Sequence, residues 1–308
     1  MAGTRSSIFT PSFLDADPAA VHAALVARGY WIHDAALDRA LAAEMDRDLG
    51  RRALALNVND VAPVRYHHQT YFTHALAASR IFFDLVTHPG LRALCRVHLG
   101  ERFRLKCQRY YLSGLQHELS WHTDNKTPLG ARTDVAGIGV VMYLNDTDAG
   151  ELQVLSGSHA WSARTGRTEF GDAEINARHA ADILTIRRPA GAVILFDTRT
   201  LHRTRPITRH GFERHSVFLQ VDSDIAHSEK IIVDTQYVDP EDAELLTYLG
   251  MGMPSGYPPM PPSDLSTMTN ADLRGLAGRS LATLLARWTV RPVKRVIAGV
   301  RRRLARVL

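Results

Sequence analysis

Apolar and polar positions along this chain of 308 residues recur at two periods, one helical and one strand-like. The helical period dominates the first hundred residues. Asp17-Pro18 sets a capping carboxylate before a proline at the first helical position, which predicts a helix to about Arg28. A second helix is predicted over 35–49 and further helical spacing over 80–98, packed outside the main body. From 103 to 112 the period shortens to two, the spacing of a half-buried strand. Strand-like segments recur near 119–124, 135–145, 151–154, 183–187, 191–196, 201–206 and 214–223. Short antiparallel strands separated by turns predict a mainly β fold with flanking helices, a double-stranded β-helix or jelly roll. Residues 159–182 interrupt the strand series as an insertion in the position of a lid.

The pattern changes again near the C-terminus. Residues 251–262 are rich in Pro, Gly and Met, so we divide the chain into a domain over 1–250, a linker over 251–268 and a helical appendage over 269–308. From Val293, apolar Val296, Ile297, Val300, Leu304, Val307 and Leu308 recur at steps of three and four, with Lys294, Arg295, Arg301, Arg302, Arg303 and Arg306 between them. A basic amphipathic segment of this kind over 293–308 suits the surface of an anionic membrane, at roughly 1 kcal/mol per basic residue. Packing on its own domain or on a partner is the competing reading, and Pro292 would kink any helix continuing through it.

Charge sharpens this division. Residues 271–308 hold ten Lys and Arg against the single acid Asp272, a net +9; with +5 for the whole chain, residues 1–270 carry −4. The basicity belongs to the tail, which argues against a nucleic-acid groove on the main domain. Two cysteines, Cys95 and Cys107, imply no disulfide framework and suit a reducing compartment. The N-terminus lacks an apolar core of signal-peptide length, and no apolar run approaches a membrane span. The expected location is cytoplasmic, with peripheral contact at the inner membrane face through the tail.

The candidate chemistry lies in Trp121-His122-Thr123-Asp124 and, about eighty positions later, at His202. On a strand, residues i and i+2 share a face, so His122 and Asp124 aim an imidazole and a carboxylate at one point while Trp121 faces the core. Two histidines and one carboxylate are the ligand set of a non-haem Fe(II) facial triad, which leaves three positions open. A lone His-x-Asp is more often a satisfied polar pair, and the downstream residues decide between the readings. Thr204 follows His202 on the same face, and Arg214 comes one strand later. A planar, permanently charged guanidinium holds a carboxylate with two parallel hydrogen bonds, which is what a dicarboxylate such as 2-oxoglutarate needs.

These segments resemble the phytanoyl-CoA dioxygenase family over residues 10–225. The stretch 141–152, ending Asp146-Thr147-Asp148-Ala149-Gly150-Glu151-Leu152, is similar to the family's strand and acidic turn. Leu155-Ser156-Gly157-Ser158-His159 is similar to its Pro-Gly-Ser-His segment, with Ser156 in the proline position. Residues 190–197 look like the strand delivering the second histidine, and Arg28-Gly29-Tyr30-Trp31 like the opening. The resemblance implies that His122, Asp124 and His202 bind Fe(II), and that Arg214, helped by Thr204, holds 2-oxoglutarate. Arg209 and Arg205 compete for that role. It implies a 2-oxoglutarate-dependent dioxygenase that consumes O2, releases succinate and CO2, and hydroxylates a small molecule or a lipid- or glycolipid-linked substrate. Related halogenases carry a small residue in place of the carboxylate, so Asp124 argues for C–H hydroxylation. The competing class is a jelly roll that binds a metal or a sugar without oxidation.

Other histidines carry less. His117 and His122 stand at i and i+5, one residue too far apart for a zinc-protease helix. His67, His68 and His74 read as a polar loop near the mouth of the site, His159 as structural, and His210 and His215 as facing solvent or supporting Arg214 from behind. Gln108, Tyr110, Tyr111, Asn125 and Arg132 are candidate pocket residues by strand phase.

Overall fold

The computed structural model describes residues 7–55, 64–66, 68–72, 74–126, 132–162, 164–223, 228 and 231–252, with single positions 278, 281 and 285. The chain divides into two units, Met1–Tyr257 and Pro258–Leu308. The expected linker and basic tail lie almost wholly outside the described residues.

Among the described residues twelve strands run β1 (Tyr30–His33), β2 (Val64–Tyr66), β3 (Gln69–Phe72), β4 (Arg104–Ser113), β5 (Leu119–His122), β6 (Gly137–Tyr143), β7 (Leu152–Leu155), β8 (Glu169–Phe170), β9 (Ile183–Ile186), β10 (Val193–Asp197), β11 (His202–Thr204) and β12 (Arg214–Asp222). The helices are α1 (Pro11–Leu14), α2 (Pro18–Arg28), α3 (Arg39–Ala55), α4 (Ala75–Ala78), α5 (Arg80–Val86), α6 (Pro89–Leu99), α7 (His159–Ser162), α8 (Asp172–His179) and α9 (Ala243–Leu249). The strands make two antiparallel sheets, ordered β1-β10-β6-β12-β4-β3-β2 and β8-β5-β11-β7-β9. This is the expected jelly-roll architecture, although the sheets do not close into a barrel.

Strand alternation gives the larger sheet two distinct faces. Ile138, Val140, Met142, Val193, Leu195, Val217 and Leu219 join Val21, Leu25, Met45, Phe82, Leu85, Leu91 and Tyr248 from the helices in the main core. A fully buried Leu, Ile or Phe there is worth roughly 1.5–3 kcal/mol. The opposite face turns toward the smaller sheet, where Tyr143 and Ile194 pack on Leu152, Val154 and Ile186. The outer side of the smaller sheet buries Trp121, Leu155 and Leu201 under Phe170 and Ile175. Trp121 is fully buried there with the Arg203 guanidinium 4.8 Å from its ring, so the core role expected for it holds.

Several boundaries differ from expectation. Asp17 caps α2 as predicted, its side chain accepting from the Ala19 N–H at 3.0 Å. The next helix begins at Arg39, four residues later than expected, because the Ala36 and Leu37 N–H groups donate to the Gly191 carbonyl at 2.9 and 3.0 Å. Asp38 then caps it, accepting from Ala40 and Leu41 at 2.9 Å each. The helical stretch 80–98 is two helices, because Pro89 opens a new one and the His88 ring accepts from Gly90 at 3.1 Å. His68 lies in the exposed turn expected of it, but that turn joins β2 to β3 in a hairpin that widens the larger sheet; His67 lies outside the described residues. The insertion 159–182 contributes β8, paired to β5 through Trp121↔Phe170 and His122↔Glu169.

Candidate active site

Two neighbouring strands of the smaller sheet bring the histidines together. His202 on β11 stands opposite His122 on β5 in the antiparallel register, and the ring centroids are 4.3 Å apart. Each ring is oriented by its own strand: Nδ1 of His122 lies 2.7 Å from the Ser120 carbonyl, and Nδ1 of His202 lies 3.0 Å from the Thr200 carbonyl. A carbonyl oxygen only accepts, so both Nδ1 atoms carry a proton and Nε2 of each ring is the atom turned to the carboxylate. Asp124 follows β5 with its N–H donating to the Thr198 carbonyl at 2.8 Å. Its carboxylate oxygens lie 3.7 Å from His122 Nε2 and 3.3 Å from His202 Nε2.

The ligand atoms of His122, Asp124 and His202 all fall within 4.8 Å of one another. With both Nε2 atoms unprotonated these three groups form a donor set that fits a bound divalent cation; without a cation, His202 hydrogen-bonds the Asp124 carboxylate instead. Burial, with the nearby His202 adding to it, lowers His122 to about 4, which keeps the ring unprotonated at neutral pH. Burial alone would raise the Asp124 carboxyl, but His202 outweighs it by charge and hydrogen bonding and holds the group well below the usual carboxylate range.

The triad opens into a cavity between the sheets with about 590 Å³ of free space, counted out to its mouth. Its walls include Leu119, Val141, Leu152, Phe196 and Phe218, and its polar lining includes Gln69, Tyr111, Thr204, Arg214 and Ser216. Arg214 opens β12 and is only 5 % exposed. Its guanidinium donates to the Gly150 carbonyl and, at 3.5 Å, to the Ser113 hydroxyl, while its Nε has no hydrogen-bond partner. Burial pulls its pKa below the ordinary arginine value. Among the described residues it makes no ion pair, so a carboxylate entering this cavity would meet an uncompensated buried cation. Arg209 instead pairs with Asp148 at 2.7 Å on the surface, and Arg205 reaches Glu151 at 3.7 Å with its side chain 46 % exposed. Neither lines the cavity.

Of the five candidate pocket residues, only Tyr111 lines the cavity. Tyr110 turns to the helix side, where its hydroxyl donates to Asp46 at 2.7 Å, and Gln108 shares that strand face. Asn125 is occupied with the Thr133 carbonyl and Arg132 with Asp134. His215 is half-buried and held between two carboxylates: Nδ1 lies 2.8 Å from Asp46 and Nε2 3.0 Å from Glu213. His159 is structural, bonded to the Val26 carbonyl at 2.8 Å. Gln69 and Ser216 were not foreseen; the β-prone run Gln69-Thr70-Tyr71-Phe72 was the available signal for β3.

Residues 26–216 match the phytanoyl-CoA dioxygenase (PhyH) family, to which the chain therefore belongs. It is a 2-oxoglutarate-dependent oxygenase using Fe(II), 2-oxoglutarate and O2, which sets aside the non-oxidative binding protein. No curated protein matches the sequence. Solved structures with the same fold include the epimerase SnoN in complex with Fe3+, alpha ketoglutarate and nogalamycin RO, 20 % identical over 68 % of this chain and 86 % of that one, with a TM-score of 0.54. The carbocyclase SnoK from nogalamycin biosynthesis is 16 % identical over 68 % and 85 % of the two chains, with a TM-score of 0.56. EctD from S. alaskensis is 20 % identical over 74 % and 86 %, with a TM-score of 0.55. Among the described residues, no helix is long and apolar enough to cross a membrane.

Proposed function

We propose that the enzyme hydroxylates an unactivated C–H bond of a small molecule or of a lipid- or glycolipid-linked substrate. One O2 and one 2-oxoglutarate are consumed for each hydroxylated product, succinate and CO2. The observation that carries this reading is one cavity with this three-group donor set on its wall and an unpaired buried guanidinium beside it. In it, His122, Asp124 and His202 hold Fe(II). Arg214 takes the distal carboxylate of 2-oxoglutarate, with the Thr204 hydroxyl, 5 % exposed on β11, as a further donor. When bound, the iron supplies the activation of O2 that no side chain can provide. The chain's own residues orient the ligands through the Ser120 and Thr200 carbonyls. Leu119, Val141, Phe196 and Phe218 keep water from the reacting groups.

An epimerase and a carbocyclase share this fold, so the outcome must be argued from the site. A carboxylate at Asp124 occupies the position that halide needs, which favours return of a hydroxyl over halogen transfer. The test is succinate formation by purified protein with Fe(II), 2-oxoglutarate and O2, beside His122→Ala. Incubation with soluble metabolites and with membrane extracts then seeks a product heavier by one oxygen atom. Succinate from the native chain alone, with such a product, supports the reading; a product isomerised or cyclised without oxygen gain would overturn hydroxylation.

The tail bears on where the substrate is met. We place the enzyme in the cytoplasm, with residues 293–308 in peripheral contact with the anionic inner face of a membrane; their charge and apolar spacing support this. Deleting 271–308 should move the protein from the membrane pellet to the supernatant. Unchanged partitioning would remove the case for a lipid-linked substrate.

A further inference from the structure

We infer that Lys106, Gln220 and Asp222 form a buried polar clamp that positions Asp124 toward the metal. The inference rests on the reading of Asp124 as a ligand. None of the three reaches the reacting groups; each acts through the backbone of the segment that carries the carboxylate.

That segment needs external support. β5 ends at His122, so residues 123–126 leave the sheet before the carboxylate is delivered. The Asp124 N–H is taken by Thr198. Its carbonyl accepts one amide proton of Gln220 at 3.1 Å, and the other amide proton of Gln220 goes to Asp222 Oδ1 at 2.9 Å. Lys106 Nζ lies 2.9 Å from Asp222 Oδ2 and donates to the Lys126 carbonyl. Peptide groups on both sides of Asn125 are thereby tied to the larger sheet. All three side chains are nine-tenths buried or more.

Two local features of that sheet make the clamp possible. β4 and β12 slip register between Gln220↔Cys107 and Val221↔Leu105, which leaves Lys106 as the extra residue of a bulge. The bulge lets its ammonium reach Asp222 while Leu105 stays in the core. On the facing strand, Gly137 pairs with Asp222, and a Cβ there would lie 2.3 Å from Asp222 Oδ1 and 2.9 Å from the Thr198 side chain. Glycine opens the space that the carboxylate fills.

The experiment is Co(II) binding to the full chain, followed by its visible d–d band, with thermal unfolding of the metal-free protein measured beside it. Outer partners of this kind change metal affinity about 10- to 100-fold. Gln220→Met and Gln220→Glu, which keep the size and lose the donor, should both bind Co(II) at least about tenfold more weakly with an altered band. Gln153→Met on β7, which removes a Gln bonded to Thr185 and Arg203 and to none of the clamp residues, should stay within roughly twofold. If Gln220 variants fail to fold, Lys106→Met carries the same expectation. Asp124→Ala separates the two readings. Native-like Co(II) binding by Asp124→Ala would mean that Asp124 is not a ligand. Loss of binding in Asp124→Ala with native affinity in Gln220→Met, or an equal loss in Gln153→Met, would overturn the clamp.

Discussion

Replacing His215 by leucine tests how the helical layer holds the strand that carries Arg214. His215 and Arg214 are adjacent on β12 and so point to opposite faces, Arg214 into the cavity and His215 toward α3. The imidazole sits between Asp46, 2.8 Å away on α3, and Glu213, 3.0 Å away. Burial alone would lower its pKa; the two carboxylates outweigh burial and raise it from 6.5 to about 9. At roughly 1.4 kcal/mol per unit, that shift bounds the charge contribution near 3 kcal/mol. Because the Glu213 side chain is 51 % exposed, solvent screening reduces it to about 2 kcal/mol. A raised pKa stabilises fully below the unfolded value, so the contribution is complete below pH 6.5 and disappears as pH rises through 9. Urea unfolding of native protein and His215→Leu at pH 6 and pH 9.5 measures this directly. The expected difference is about 2 kcal/mol at the lower pH and a small residue at the higher. A difference independent of pH would mean that His215 acts by packing, and the ion-pair argument would fail.

Three further outcomes follow from the cavity and the termini of its strands. Arg214→Ala should weaken 2-oxoglutarate binding at least about thirtyfold by anaerobic calorimetry with Fe(II), since truncating one partner of a buried charge pair costs about 2–5 kcal/mol; Arg209→Ala, altering a surface pair with Asp148, should not. If Arg209→Ala gave the larger loss, the assignment would reverse. Gly139→Ala would set a Cβ 2.3 Å from the Phe196 ring, which stands 4.4 Å from His202. Overpacking of this kind costs about 1–3 kcal/mol, so its Tm should drop, and an unchanged Tm would show that the ring moves freely. Adding Fe(II) at 100 times its dissociation constant should stabilise the native chain by about 2.7 kcal/mol, and should leave His122→Ala unmoved in the same thermal scan.

Much of the site was legible because its information is local. Period-two alternation located β4 to β7 and β9 to β12 within a few residues, and within β5 it sent Trp121 outward and His122 inward. His202 and Thr204 follow from the same rule on β11, and Arg214 from position on β12. The two helix starts that differ from expectation are also written locally. Asp38 is the capping residue of α3 and Pro89 the first residue of α6, and both signals stand in the chain.

What alternation leaves open is which face of a strand meets the cavity, and whether the phase survives to the strand's end. Tyr110 and Tyr111 are equally plausible lining residues from their types, yet adjacent positions cannot share a face. Met142 and Val140 across the sheet belong to the helix-side core, and Tyr110 joins them, so Tyr111 turns inward. At Lys106 the phase itself slips, because a bulge depends on two strands, and neither sequence segment announces it. Lysine is seldom fully buried, yet Lys106 is buried against Asp222. The two histidines are the readable ligand candidates, since each sits on its own regular strand, and Asp124 follows two residues beyond the first. The residues that fix Asp124 from behind depend on register between β4, β6 and β12, and only the assembled sheet brings them together.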